Sequence, residues 1–340
     1  MQRLLTIALI AVAASLSAGT RCSAEPPSQE EVHRRAAFLQ ELKASLAAEG
    51  SAADKLETIT RLMAAETDPD MRRMVLDVAI QTKGLDFDSL LTKVLADDPD
   101  AGIRSRAATA LGGLGTKDCF AALARAAAED PTTEMRLGDI ALKSSARRDA
   151  MFAIAALASR HPKLADKATD ALRGLATPDG AKDPQSLADA RIASLYQITR
   201  DEKLLRPFYD RLRSKDGQTR VRGVVAFQYC GLQTAPAELT AALDDDNAEV
   251  RSWAALVLGR IADPGSVPLL IAAAEDSKRE IGVRCNAIHS LGRMRAVAAV
   301  ETVRKLLADS EEAVQSQAAI ALYRITGEKV EQFPAGYNAD

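Results

Sequence analysis

Aromatic residues make up only 4% of this 340-residue chain, and histidine occurs three times. So few rings, beside abundant alanine, disfavour a β-sandwich or barrel and favour closely packed helices. His33, His161 and His289 stand apart, and none belongs to a His-Glu-x-x-His arrangement. A Gly-x-Ser-x-Gly elbow and a phosphate-binding Gly-Lys-Ser/Thr loop are both missing. The sequence therefore offers no catalytic residue, no cofactor-binding residue and no metal ligand set, and a non-enzymatic protein without a cofactor is expected. Cys285 and His289 share a helix face, but two ligands are too few for a closed zinc site. Cysteine is scarce as well. Beyond residue 24 only Cys119, Cys230 and Cys285 remain, an odd number that argues against a disulfide framework. They read as small buried hydrophobes. Neither charge sign dominates, with 44 Lys and Arg against 47 Asp and Glu.

Long apolar runs are absent except near the start. Arg3 precedes an apolar stretch from Leu4 to Leu16, and Cys22-Ser23-Ala24 then offers small residues before Glu25-Pro26-Pro27. This pattern predicts a secretory signal peptide over 1–24, cleaved after Ala24, and a periplasmic or secreted protein. The stretch is shorter than the ~20 residues of a membrane helix, and no transmembrane segment is expected in the mature chain. Cleavage would remove Arg3 and Arg21, leaving 42 basic against 47 acidic residues, a net charge of −5. Such a chain makes a poor duplex-DNA binder, so no nucleic-acid partner is expected.

What is present is a repeat. Arg104-Ser-Arg-Ala107-Ala-Thr-Ala110-Leu111-Gly112 is matched by Arg251-Ser-Trp-Ala254-Ala-Leu-Val257-Leu258-Gly259 and Arg284-Cys-Asn-Ala287-Ile-His-Ser290-Leu291-Gly292. A copy headed by Gln315 keeps Ala318, Ala321 and Leu322, and weaker copies start at Arg72, Arg147, Ala188 and Arg220. The steps between the eight starts are 32, 43, 41, 32, 31, 33 and 31 residues. Inside each copy the apolar residues fall at i, i+3, i+4 and i+7, one face of a helix. A shorter apolar helix follows, for example at 117–127, 266–275 and 297–308. Asp-Pro pairs at 68–69, 98–99, 130–131, 183–184 and 263–264 punctuate the helices. The extra residues in the two long steps fall at 129–145 and 177–184. A competing register starts a copy at Arg136. Repeats of this period stack as helical pairs.

These residues resemble the HEAT-repeat family, particularly the bacterial HEAT-like repeats associated with phycobilisome lyases. The resemblance covers roughly residues 67–326. It implies an all-α, right-handed α-solenoid, armadillo- and HEAT-like, of about eight to nine helical pairs. Residues 25–66 are expected to form an N-terminal capping pair, and 327–340 a C-terminal tail. The resemblance also implies a structural ladder in which each first-turn Arg pairs with an acid at the adjoining turn. Its members here are Arg72, Asp98, Arg104, Asp245, Arg251 and Arg284, with Glu66 and Asp309 at equivalent places; Gln315 and Ala188 should interrupt it.

The acid-rich turns Asp244-Asp245-Asp246-Asn247 and Asp97-Asp98-Pro99-Asp100 lack the Gly and distal Glu of a calcium loop and read as caps and solvated turns. The middle of the chain gathers Tyr196, Phe208, Tyr209, Phe227 and Tyr229 with Arg206, Arg211, Arg213, Lys215, Arg220 and Arg222. On the helix near 201–213, Leu204, Leu205, Phe208 and Leu212 form the buried stripe. Arg206, Tyr209 and Arg213 share another face. That face is either a partner-binding site for an acidic or extended ligand on the concave wall, or an ordinary solvated surface. The leading expectation is an exported, non-enzymatic scaffold that binds protein partners of unknown identity. The alternatives are a lyase-like enzyme or enzyme subunit and a HEAT-like nucleic-acid binder.

Overall fold

A computed structural model describes residues 28–48, 50–82, 84–131, 135–137, 140–142, 146–176 and 184–334. The proposed signal segment and residues 335–340 of the tail lie outside the described residues. The chain divides into two compact units, Met1–Arg200 and Asp201–Asp340.

The first unit holds α1 (Gln29–Ala48), α2 (Ala52–Ala65), α3 (Pro69–Gln81), α4 (Asp88–Asp97), α5 (Ala101–Leu114), α6 (Phe120–Glu129), α7 (Ala146–Arg160), α8 (Ala165–Gly174) and α9 (Pro184–Thr199). The second holds α10 (Arg206–Leu212), α11 (Gly217–Phe227), α12 (Ala237–Ala241), α13 (Ala248–Ile261), α14 (Val267–Glu275), α15 (Ile281–Arg293), α16 (Val300–Leu306) and α17 (Glu312–Thr326). The fold is an all-α solenoid. Between α6 and α7, within the first long repeat, an antiparallel hairpin pairs β1 (Met135–Leu137) with β2 (Ile140–Leu142), Met135 opposite Leu142. Arg136 of the competing register falls in β1; the helix that continues the repeat starts at Ala146.

Each of the eight repeat starts heads an odd-numbered helix, α3 through α17. Each of these helices packs against the helix that precedes it, which is the shorter of the two from α5 onward. The pairing phase thus differs from the sequence reading, which put the shorter helix second. Within each unit the Arg-headed helices also pack directly on one another, whereas the shorter helices scarcely touch. The motif glycine explains the close approach. A Cβ on Gly112 would lie 2.7 Å from Ala153 Cα in α7, and one on Gly292 would lie 2.8 Å from Ala321 Cα in α17. Any bend within a unit therefore has the Arg-headed helices on its inner side.

Buried apolar residues recur at the motif positions: Ala107, Ala110 and Leu111; Ala254, Val257 and Leu258; Ala287 and Leu291; Ala318, Ala321 and Leu322. Side-chain caps fix where helices begin. Asp68, Asp100, Asp216 and Asn247 accept from backbone N–H groups in the first turns of α3, α5, α11 and α13. The Asp-Pro pairs do two jobs. Asp68 caps a helix, whereas Asp98 and Asp130 close α4 and α6, leaving their carboxylates for the arginines.

Those carboxylates build the ladder, with a connectivity the spacing did not reveal. Arg72 reaches forward to Asp98, with Nε–Oδ2 and Nη2–Oδ1 distances of 3.1 and 3.2 Å, and its Nη1 donates to the Glu66 and Thr67 carbonyls. Arg104 does the same with Asp130 at 2.7 and 3.1 Å and with the carbonyls of Asp98 and Pro99. In the second unit Arg220 takes Asp245, Arg251 takes Glu280 and Arg284 takes Asp309. For Arg72, Arg104, Arg220 and Arg251 the residue six before thus supplies a carbonyl, Arg284 takes that of Ala274 instead, and in all five the carboxylate comes from the following repeat. Asp98, Asp245 and Asp309 serve two repeats at once, because their carbonyls accept from Arg104, Arg251 and Gln315. Gln315 therefore keeps the backbone half of the rung. At Ala188 the rung is missing, and Arg191 donates instead to the Leu175 carbonyl at 2.6 Å.

The ladder gives stability a pH dependence. The Arg284 hydrogen bond outweighs burial and holds the Asp309 carboxyl below its usual range. A carboxyl depressed in the folded state stabilises above its unfolded pKa of about 3.9, and that contribution disappears as pH falls through the folded value. Urea midpoints should hold steady down to about pH 5 and then decline. Arg284→Gln should be less stable at neutral pH and show a shallower decline. Identical acid limbs would detach Asp309 from stability.

After α17, Gly327 turns the chain at φ 83°. Phe333 then packs edge-on to Tyr323 with ring centres 5.2 Å apart, and Lys329 lies over both rings. The described start of the tail is docked.

Candidate functional site

The aromatic and basic residues near 206–213 lie on α10, one of the short helices of the second unit. Phe208 is buried and meets Phe227 of α11 edge-on at 5.6 Å. Tyr209 is half-buried because its ring lies 5.1 Å from the same Phe227. Arg206 and Arg213 are exposed, and both lie within ion-pair range of Asp210, at 3.8 and 3.9 Å. Arg213 also binds Glu238 of α12 at 3.0 Å. The structure puts Arg206 and Tyr209 on α10 and Arg213 at its C-cap, but corrects the idea of an anion site there. Asp210 and Glu238 neutralise the two arginines, Tyr209 packs inward, and α10 belongs to the layer away from the inner side.

A charged cleft of about 210 Å³ lies between the turn at 244–245 and the turn at 276–280. Its lining pairs with itself. Arg279 donates to the Leu243 carbonyl and to Asp244, and Arg251 donates to Glu280. The acid-rich turn read from the sequence as solvated is thus tied to arginines of its own unit.

The nucleophilic and ligand-type side chains are dispersed. His33 is on α1, His161 follows α7, and His289 is half-buried on α15. Among the described residues no group of three or more His, Cys, Asp or Glu could hold a metal ion. Cys119, Cys230 and Cys285 are free thiols. Burial, then the Asp88 carboxylate, pushes Cys119 up to about 12, and burial raises Cys285. Both therefore stay protonated and are poor nucleophiles at neutral pH.

Sequence reasoning passed over the Arg-headed helices as bearers of surface function. Nine residues after the ladder position stand Tyr229, Arg260, Arg293 and Arg324. Their signal was the residue just beyond the Leu-Gly pair in the copies at 251 and 284.

A family model described as HEAT repeats matches residues 205–282 and 278–333, and one described as the PBS lyase HEAT-like repeat matches 103–129. The chain is 27% identical over 257 residues to the deoxyhypusine hydroxylase of Candida albicans, covering 74% of this chain and 73% of that protein. To the deoxyhypusine hydroxylase of Eremothecium gossypii it is 26% identical over 260 residues, covering 76% and 74%. The solved structure of human deoxyhypusine hydroxylase in complex with glycerol aligns at 16% identity over 86% of this chain and 98% of that one, with a TM-score of 0.35. The two sequence relatives overturn the expectation of a non-enzymatic scaffold, since both carry the name of an enzyme. A repeat pattern that is specific for a fold carries no record of activity, and this is why the sequence reading went astray.

Proposed function

Because this chain is a HEAT-repeat protein, we propose that it is an enzyme or enzyme subunit of the hydroxylase-like kind, its solenoid holding the substrate. One observation carries this reading. The similarity to the Candida albicans hydroxylase spans 257 residues, about three quarters of each protein, rather than a single repeat.

Hydroxylation inserts oxygen into a C–H bond and needs a redox-active metal or organic cofactor to supply that chemistry. A metal would call for a set such as two histidines and a carboxylate. The described residues do not fit it, because their three histidines lie on separate elements and no cluster of donors forms. The reading therefore assigns the chain substrate holding, with the redox group provided by a second subunit.

The test uses the full chain, alone and supplemented with an extract of its source cells. A protein bearing deoxyhypusine is the substrate, and gain of one oxygen atom is followed by mass spectrometry. Oxygen gain that depends on this chain supports the reading. Unchanged substrate in both arms, in an assay where an active hydroxylase works, overturns it. Export is a separate proposal, supported by the charged, apolar and small-residue segments of residues 1–24. Amino-terminal sequencing of the cell-derived protein should then begin at Glu25; an intact Met1 would refute it.

A further inference from the structure

Three arginines stand at one repeat position on consecutive inner helices of the second unit. Arg260 lies in the last turn of α13, Arg293 in that of α15 and Arg324 in that of α17. Arg260 and Arg293 are exposed, and Arg324 is half-buried. They converge on His289, whose Nδ1 lies 3.5 Å from Arg324 Nη1.

The charges of Arg260 and Arg293 are not met by carboxylates of the described residues as those on the ladder and on α10 are. Burial, followed by Arg324, Arg293 and Arg260, lowers the pKa of His289, so the ring stays neutral between guanidiniums. Among the described residues neither Arg260 nor Arg293 has a carboxylate partner; Arg260 donates to the Gln228 side chain. Arginines near a helix C-terminus can serve the helix dipole alone. Arg160 of α7 does so visibly, donating to the carbonyls of Leu111, Gly112 and Gly115. Arg260 and Arg293 make no such bonds among the described residues; both are exposed, and Arg260 is held by the neutral Gln228 amide oxygen alone.

Packed helices sit about 8–10 Å apart. A peptide in the extended polyproline II conformation advances about 3.1 Å per residue with three residues per turn, so every third side chain returns to the same face about 9 Å further on and meets the next helix. We propose that this arginine ridge binds an extended acidic segment of a partner protein, with carboxylates at every third residue. The overall acidity of the chain, net charge −3, and a spacing set by helix packing favour a polypeptide over a nucleic acid. The proposal concerns binding alone and stands apart from the hydroxylase reading.

The probe is a short fluorescent peptide with Glu at every third position among Ser and Gly. Its control has the same composition with the Glu residues bunched together, and a single-stranded oligonucleotide is a third ligand. Anisotropy should show the spaced peptide binding tightest, with affinity falling as salt rises. Arg260→Gln/Arg293→Gln alters two exposed side chains, so the fold should survive, as an unchanged melting temperature would show. This variant should lose at least about tenfold in affinity. Peptide binding should also raise the His289 pKa followed by NMR, because carboxylates offset the guanidiniums. Undetectable binding of the spaced peptide, equal binding of the bunched control, full affinity in the variant, or tighter binding of the oligonucleotide would each overturn the proposal.

Discussion

Arg104→Ala should lower the stability of the first unit by about 3–5 kcal/mol, the loss typical when one member of a buried ion pair is removed. The Arg104 and Asp130 side chains are only 8% and 4% exposed. Two hydrogen bonds join them, and two carbonyls occupy the remaining guanidinium nitrogen. The hydrogen bond to Asp130 raises the Arg104 pKa further, so the guanidinium is charged at every working pH. Alanine would take from the buried Asp130 carboxylate its bidentate partner, leaving the Arg147 charge nearby, and would leave two carbonyls short of a donor. Arg213→Ala provides the contrast. Its side chain is 63% exposed, and its pairs with Asp210 and Glu238 should contribute no more than about 1 kcal/mol. Urea unfolding of both variants measures the difference. The double replacement Arg104→Met/Asp130→Leu should recover most of the loss, since it removes both charges together. A loss below about 1 kcal/mol for Arg104→Ala would show a ladder that water screens.

The ladder marks the boundary between what was legible in the sequence and what was not. The arginine positions were legible because helix periodicity and the small residues behind each Arg are local signals. The first long step was legible too, and it is filled by the hairpin between α6 and α7, while residues 177–183 of the second lie outside the described residues. The carboxylate partners were not. Asp98 lies six residues before Arg104, and sequence distance favours that pair. Yet Arg104 takes only the carbonyl of Asp98, whose carboxylate turns back to Arg72. A repeat offers each acid two arginines, one within its own turn and one in the preceding repeat, and only packing decides between them. The same blindness affected the pairing phase. A chain of alternating helices reads equally well in either phase. The inner layer becomes visible only once the motif glycines are seen to press against the next Arg-headed helix. In the other phase α10 would line the inner side, and Arg206, Tyr209 and Arg213 would form an anion face were it not for Asp210 between the arginines.

The enzyme name of the relatives lay beyond the sequence for a different reason. Motif positions in a solenoid are spent on stacking: Arg for the rung, Ala for the core, Gly for close approach. Function is left to the positions between, which obey no motif. The aligned 257 residues of the Candida albicans hydroxylase therefore carry information that the repeat pattern cannot. The same logic directs attention to the outward residues of α13, α15 and α17, which the stacking leaves unconstrained.

Neighbouring glycines in α5 should respond to alanine with opposite signs. Helix propensity alone predicts that both Gly112→Ala and Gly113→Ala stabilise by about 0.5–1 kcal/mol, because alanine restricts the unfolded chain and suits a helix. Gly113 is exposed, and a Cβ added there meets nothing within 4 Å. That substitution should raise stability by the full propensity gain. Gly112 is buried, and its new Cβ would stand 2.7 Å from Ala153 Cα and 2.8 Å from Ala153 Cβ in α7. The obstruction at Ala153 is backbone as well as side chain, so rotating a flexible group cannot relieve it. The two helices must separate, loosening the contact between α5 and α7. Overpacking of this kind costs about 1–3 kcal/mol and should outweigh the propensity gain. The readout is the unfolding midpoint of each single variant against the parent. Opposite signs would show that the motif glycine sets the spacing of the inner layer. Equal stabilisation by both would mean that the inner layer of the first unit can open at α5 and α7 without loss.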